Sequence, residues 1–227
     1  MRTGKSMPLI IRAIMMFLFS ILLVGVLVFL PAGTMKFWNG WLFMAALFIP
    51  MFFVLIYLML KDPELLARRL KTKEKEKTQK VYLVLSIIVC LSAILIPGLD
   101  HRYGWSAVPL PVAAVSTVIM MSGYLMFFIV MKQNTYASRV VEIQDEQKLI
   151  DTGLYSFVRH PMYLAATILY LFIPLVLGSF YGLIAAVFIP MLLIIRIMNE
   201  EKVLVNGLKG YDEYMKKVKY RLFPGIW

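Results

Sequence analysis

Two polar groups about 40 residues apart carry the side chains of this sequence that are best suited to chemistry. The first is Arg159-His160-Pro161, just before a long apolar run, and the second is Arg196 with Glu200 at the end of that run. Arginine and histidine donate hydrogen bonds to carboxylates or phosphates, whereas glutamate accepts them from hydroxyl or ammonium groups. Ionisable groups at a membrane boundary mark sites, but they also serve as interfacial anchors. The residue types alone leave both interpretations open.

The composition indicates that the solvent around this chain is lipid. Of its 227 residues, 61% are hydrophobic and 16% charged, and the mean hydropathy is +0.78. Soluble domains have about 45–50% apolar and about 25% charged residues. The net charge of +11 is spread between apolar segments, so we expect no nucleic-acid partner. With a single cysteine, Cys90, and two histidines, we expect neither a disulfide framework nor a metal site.

The apolar runs predict an all-α integral membrane protein with about six transmembrane helices. A helix needs about 20 apolar residues to cross a bilayer. Four runs satisfy this requirement approximately, and residues 162–198 are long enough for two helices joined by a turn at 177–182, which predicts a helical hairpin. We expect Pro97-Gly98 to stop the third helix and residues 100–103 to form an external turn. The first four predicted spans are 7–30, 38–60, 81–96 and 108–131.

The distribution of positive charge orients these spans. Residues 61–80 contain eight lysines and arginines and predict a solvated basic loop, with a short surface helix beginning at Asp62-Pro63-Glu64. A six-span topology places 22 of the 24 lysines and arginines on one side. The positive-inside rule therefore predicts that both termini and both polar groups are cytoplasmic. The predicted location is a multi-pass integral membrane protein, in the cell membrane if the source is prokaryotic.

The chain is thus predicted to have two parts. Residues 1–131 provide four transmembrane helices and the basic loop, and residues 132–227 provide the hairpin 162–198 with a cytoplasmic tail. Pro161 suits the first position of a helix, whose free N–H groups favour an anion together with Arg159 and His160. Arg196 and Glu200 are four residues apart and share one helix face.

The order of motifs in residues 134–227 resembles the isoprenylcysteine carboxyl methyltransferase family, in particular its prokaryotic-type members, and this family is related to phospholipid N-methyltransferases. The motifs are Gly153-x-Tyr155-x-x-x-Arg159-His160-Pro161-x-Tyr163, Arg196-x-x-x-Glu200-Glu201-x-x-Leu204, Gly210-Tyr211-x-x-Tyr214 and Arg221-Leu-x-Pro224. The resemblance implies a membrane enzyme that transfers a methyl group from S-adenosyl-L-methionine to a lipophilic or lipidated acceptor at the cytoplasmic face. The acceptor group would be the carboxylate of an isoprenylcysteine-like or other small lipidic substrate.

The resemblance also implies which residues form the site. It assigns Arg196 to the methyl acceptor and gives Arg159 as a second candidate catalytic residue. The residues that it assigns to the cofactor are Gln147, Lys148, Leu149, Ile150, Tyr155, Arg159, His160, Pro161, Met162 and Glu200.

Three other functions are kept as alternatives. The first is a phospholipid amine N-methyltransferase, which differs only in its nucleophile. The second is a sterol-reductase-like membrane enzyme that uses NADPH. The third is a non-enzymatic membrane scaffold or transporter, which the near absence of charge within the spans disfavours. Membrane lipids are expected partners, while the identity of the acceptor and the oligomeric state stay open.

Overall fold

All regular structure in the described part of the chain is helical. The computed structural model describes residues 6–70, 77–136, 143 and 147–227. Those residues form nine α-helices and one short 3-10 turn, Gly153–Ser156. The α-helices are α1 (Ser6–Ala32), α2 (Trp38–Lys61), α3 (Pro63–Arg69), α4 (Lys77–Tyr103), α5 (Leu110–Gln133), α6 (Pro161–Val176), α7 (Tyr181–Ala186), α8 (Phe188–Gly207) and α9 (Tyr211–Lys217).

Five helical segments are long and apolar enough to cross a membrane. They lie in α1, α2, α4, α5 and the α7–α8 segment, and between 11% and 33% of the residues in their most apolar windows are buried inside the protein. Most of their apolar side chains therefore face outward, which is stable in lipid and unfavourable in water. These are the features of an integral membrane protein, and the predicted all-α class is confirmed.

The helix expected to be the fifth span is shorter than the others. Helix α6 has 16 residues and ends at a turn around Gly178, after which α7 and α8 lead back along the molecule. Sixteen residues at about 1.5 Å each span about 24 Å, less than a hydrocarbon core of about 30 Å. The turn lies where the hairpin prediction placed it, but length and composition support five spanning segments among the described residues, not the six expected.

The predicted stop at Pro97-Gly98 is wrong, because α4 continues through both residues to Tyr103. Gly98 allows α4 to approach α1 closely: a Cβ atom there would lie 2.9 Å from Pro31 Cβ and 3.0 Å from the Val28 carbonyl oxygen. The helix ends instead at Gly104, whose φ of 66° suits a glycine at a helix C-terminus. Residues 100–103 are therefore helical and not an external turn.

The basic segment between α2 and α4 is partly helical. Helix α3 begins as predicted, with Pro63 at its first position and the Asp62 side chain accepting a hydrogen bond from the Leu65 N–H at 2.9 Å. Leu65 and Leu66 are buried against α1, α2 and α5, so α3 is packed on the helices and is not a freely solvated loop. Residues 71–76 of the predicted basic loop lie outside the described residues.

Helices α5 and α6 pack closely against each other and support the region around Pro161. Gly123 of α5 permits this approach, since a Cβ atom there would lie 3.0 Å from the Leu169 nitrogen and 3.1 Å from the Ala165 carbonyl oxygen. Small residues allow such contacts between membrane helices. The N-terminus of α6 is therefore fixed against the end of α5 that carries Gln133.

Candidate active site

A cavity lies where α6 begins and α8 ends, closed by the segment before α6 and by α9. Its enclosed volume is about 110 Å³. Polar, aromatic and aliphatic side chains are mixed along its wall, as in a site for a ligand that is partly polar and partly apolar. The lining residues are Asn134, Tyr136, Gln147, Lys148, Leu149, Ile150, Tyr155, Arg159, His160, Met162, Tyr163, Arg196, Glu200, Val203, Leu204, Leu208, Tyr211 and Tyr214.

The backbone before α6 is held by the chain's last described segment. The N–H groups of Arg159 and His160 donate to the carbonyl oxygens of Tyr220 and Arg221, both at 2.9 Å. Pro161 is the first residue of α6, as the sequence predicted, and it has no N–H group that needs an acceptor there. The tail after α9 therefore fixes the orientation of the Arg159-His160 pair.

Glu201 is the centre of a buried ionic cluster. One carboxylate oxygen lies 2.8 Å from Arg159 Nε and 3.3 Å from His160 Nε2, and the other lies 2.8 Å from Arg221 Nε. The side chains of Glu201 and Arg159 are 8% and 6% exposed. Glu201 therefore compensates the positive charge that Arg159 brings into the protein, and it joins α8, α6 and the tail in one network.

Arg159 and His160 therefore interact with Glu201 within the protein, whether or not a ligand is bound. The resemblance assigns both residues to the cofactor, and their position before α6 also suits an anion; in the structure both side chains face Glu201. They also line the cavity, so the ionic cluster forms part of its wall. The ring of His160 stacks on Tyr163, with centroids 5.7 Å apart.

A second polar network connects Arg196 with Glu200 through Tyr163. The Tyr163 hydroxyl donates to a Glu200 carboxylate oxygen and accepts from Arg196 Nε at 2.8 Å. The guanidinium of Arg196 also lies over the ring of Tyr82, 5.0 Å from its centroid. Arg196 and Glu200 do share one face of α8, as their spacing predicted, and the phenol of α6 fixes their separation.

Tyrosines form the opposite wall of the cavity. Tyr155 accepts a hydrogen bond from Asn134 Nδ2 at 2.9 Å, and its carbonyl oxygen accepts one from the Tyr214 hydroxyl at 2.7 Å. Burial raises the pKa of Tyr155 to about 12, so its hydroxyl is protonated at neutral pH. Burial also raises the pKa of Tyr211 and Tyr214 well above the ordinary tyrosine value.

Tyr211 has a polar atom without a partner. Its side chain is buried and lines the cavity, and within the described parts of the chain its hydroxyl makes no hydrogen bond. A buried hydroxyl without a partner is unfavourable by about 1–3 kcal/mol. Because the phenol stays protonated, it can donate to a ligand atom in the cavity.

The structure brings nearly all the predicted site residues together. Every one of them lines the cavity except Pro161, which is buried at the start of α6. Lys148 is exposed at the rim, while Gln147, Leu149 and Ile150 are half-buried in the segment that precedes the 3-10 turn. Among the described residues, no group of three or more His, Cys, Asp or Glu side chains is arranged to hold a metal ion.

Glu201 and Tyr211 are among the residues of the site that were not predicted. Glu201 was part of a motif noted in the sequence. Because it is adjacent to Glu200, the sequence did not indicate that the two side chains have different partners. Tyr211 likewise belonged to a noted motif, and the signal that distinguishes it, an unpartnered buried hydroxyl, exists only in three dimensions.

Comparison with known protein families identifies a match to part of the chain. Residues 114–206 match the model of the isoprenylcysteine carboxyl methyltransferase (ICMT) family. This range runs from α5 to the end of α8 and includes both polar groups, the 3-10 turn and the whole of α6. No curated protein matches the chain.

Proposed function

We propose that this protein is a membrane methyltransferase that uses S-adenosyl-L-methionine to methylate a lipophilic acceptor, because residues 114–206 match the isoprenylcysteine carboxyl methyltransferase family. The observation that carries the proposal is the convergence of the predicted cofactor residues on one cavity. When bound, this cofactor supplies an electrophilic methyl group on sulfur, and transfer to an acceptor carboxylate replaces the S–C bond with an O–C bond.

The residues present fit such a cofactor. It combines a nucleoside with a charged amino acid, and the cavity combines tyrosine rings and leucines with a carboxylate and several donors. The unpartnered hydroxyl of Tyr211 provides a donor that a ligand would satisfy. Glu200 provides the acceptor for hydroxyl or ammonium hydrogens, and Tyr163 orients its carboxylate.

The residues on the acceptor side act by positioning and charge. Arg196 is held by Tyr163 and Tyr82, so its positive charge is fixed at the cavity wall, where it attracts an anionic acceptor. A carboxylate acceptor is already the nucleophile at neutral pH, so no general base is needed. The work of the site is therefore to align the two reactants and exclude water. Arg159 contributes through the ionic cluster that shapes the wall.

The site is proposed to face the cytoplasm, where the methyl donor is made. Helix α3, with its basic neighbours, lies at the same end of the molecule as the cavity, since Arg69 contacts Met162 at the start of α6. The positive-inside rule then supports the cytoplasmic side for both. In this topology α6 is a sixth, shorter membrane helix, and the bilayer is thinner around it.

The cavity has to enlarge when the cofactor binds. Its volume of about 110 Å³ is below the ~300–1,000 Å³ of pockets for drug-sized ligands. Residues 147–150 have no regular structure and form one wall, so they are the part that moves most easily. We expect S-adenosylhomocysteine to slow hydrogen exchange in this segment.

Calorimetric titration of the detergent-purified protein with S-adenosylhomocysteine tests the proposal. We expect binding to the unaltered protein, and at least a tenfold loss of affinity for Glu200→Gln because the negative charge of the carboxylate inside the cavity is lost. Glu213→Gln is the matched control, since Glu213 is exposed on α9. If the protein binds NADPH and not S-adenosylhomocysteine, the proposed function is wrong.

A further inference from the structure

We propose that Arg69, on α3, recognises the anionic group of the lipophilic acceptor; this rests on the proposed function. Arg69 lies in the N-terminal part of the chain, outside residues 114–206 that match the family. Its position beside the cavity follows from the packing of α3, whose buried leucines fix the helix against α2 and α5.

Arg69 is half-buried, and its guanidinium lies beside apolar and weakly polar groups. Its Nη2 atom contacts the Met162 sulfur at 3.1 Å, and its carbon Cζ lies 5.1 Å from the centroid of the Phe127 ring. Its Nε atom is buried without a hydrogen bond, and in the described ranges of the chain no carboxylate pairs with it. A partly buried cation in such surroundings is less stable than one in water, and a bound anion would offset that loss.

Arg69 keeps its charge despite this environment. Burial lowers its pKa to about 10, with opposing effects from Tyr155 and Tyr163. A group with that pKa remains protonated at neutral pH. The protein therefore carries a cation directly behind the cavity wall, and no carboxylate among the described residues pairs with it, as is expected of a binding group.

The surroundings indicate an amphiphilic ligand. Met162 both lines the cavity and contacts Arg69, so the guanidinium lies directly behind the cavity wall. A methionine side chain is flexible and can turn aside at little cost. Phe127, whose ring lies near the guanidinium, packs together with Met162 on the apolar cluster that includes Leu66 and Met131. An anionic head against Arg69 with an apolar chain along this cluster satisfies both features, whereas a water-soluble carboxylate satisfies only the first.

The test compares S-farnesylcysteine with its methyl ester, which differ in the charge that Arg69 is inferred to recognise. Binding of each is measured calorimetrically to the protein in nanodiscs with S-adenosylhomocysteine present, so no turnover is needed. We expect the unaltered protein to prefer the carboxylate, and Arg69→Met to reduce that preference about tenfold. Arg69→Lys retains the positive charge, so this variant is expected to keep part of the preference for the carboxylate.

Arg12→Gln is the matched control, because Arg12 is exposed and donates to the Leu70 carbonyl oxygen at the end of the same helix. It removes one positive charge next to α3 and is expected to leave the preference unchanged. A structural role for Arg69 predicts lower thermal stability in Arg69→Met, whereas a binding role predicts equal or higher stability.

Two results would overturn the inference. One is an unchanged carboxylate preference in both Arg69 variants. The other is a loss of preference that occurs equally in Arg12→Gln. Binding of S-adenosylhomocysteine alone is recorded for every variant. If it is absent from the unaltered protein, the proposed function fails; if it is present while the preference survives in the Arg69 variants, only the role of Arg69 fails.

Discussion

Replacing Glu201 with glutamine is expected to destabilise the protein more than any neighbouring charge substitution. Glutamine preserves the shape of the side chain but removes the negative charge that faces Arg159, His160 and Arg221. It also directs an amide N–H₂ group toward at least one of these donors. The buried arginine is then left without its counter-charge.

The size of the expected loss in unfolding free energy follows from how exposed each partner of Glu201 is to solvent. Arg159 and Glu201 are both more than nine-tenths buried, and breaking such a pair costs about 3–5 kcal/mol. Arg221 is 36% exposed, so water screens its pair and its loss adds less than about 1 kcal/mol. The expected loss of unfolding free energy is therefore about 3–5 kcal/mol, dominated by Arg159.

The assay is unfolding of the detergent-purified variants by heat and by denaturing detergent, followed by tryptophan fluorescence. Glu213→Gln serves as the control for an exposed carboxylate. Removing both charges, in Arg159→Met with Glu201→Met, is expected to recover much of the stability that Glu201→Met alone loses, because no unpaired buried charge remains. The reasoning is refuted if Glu201→Gln unfolds like Glu213→Gln, or if the double substitution recovers nothing.

Three further predictions concern other parts of the structure. Tyr211→Phe is expected to weaken S-adenosylhomocysteine binding about tenfold with no loss of thermal stability, because its hydroxyl has no partner among the described residues; equal affinity would contradict this. Gly123→Leu is expected to lower the stability by about 1–3 kcal/mol by separating α5 from α6, and a melting temperature equal to that of the unaltered protein would refute that close contact. Tyr155 has a folded pKa of about 12 against an ordinary value of 10.0, so its contribution to stability is complete below pH 10 and is lost as the pH rises through 12. The stability of Tyr155→Phe should therefore fall less over that interval, and parallel curves for the two proteins would contradict the assignment.

The sequence allowed the prediction of features that depend on local chemistry. Apolar run lengths gave α1, α2 and α5 within a few residues, and Pro161 marked the start of α6. The short helix after Asp62 followed from its capping residue. Each of these depends on residues within one or two helical turns, so no knowledge of the tertiary fold was needed.

Features that depend on distant contacts could not be read in this way. Pro97-Gly98 has the composition of a helix stop, but packing against α1 makes Gly98 a contact point inside α4. Glu200 and Glu201 are adjacent, and a rotation of about 100° per residue directs them to different partners, the Tyr163 hydroxyl and the Arg159 cluster. The positions of α6 and of the tail determine which of the two glutamates is directed toward a ligand. Neither α6 nor the tail is close to the glutamates in sequence.

The pairing of residues 159–160 with residues 220–221 also constrains how the protein is assembled. Synthesis proceeds from the N-terminus, so the five spanning segments found among the described residues have emerged from the ribosome before Tyr220 and Arg221 can accept these hydrogen bonds. The nascent chain therefore enters the membrane with Arg159, His160 and Glu201 still without Arg221. Completion of the site is therefore a late folding event. A chaperone or protease that binds the protein before this event encounters inserted helices whose site still lacks the contacts of residues 220–221.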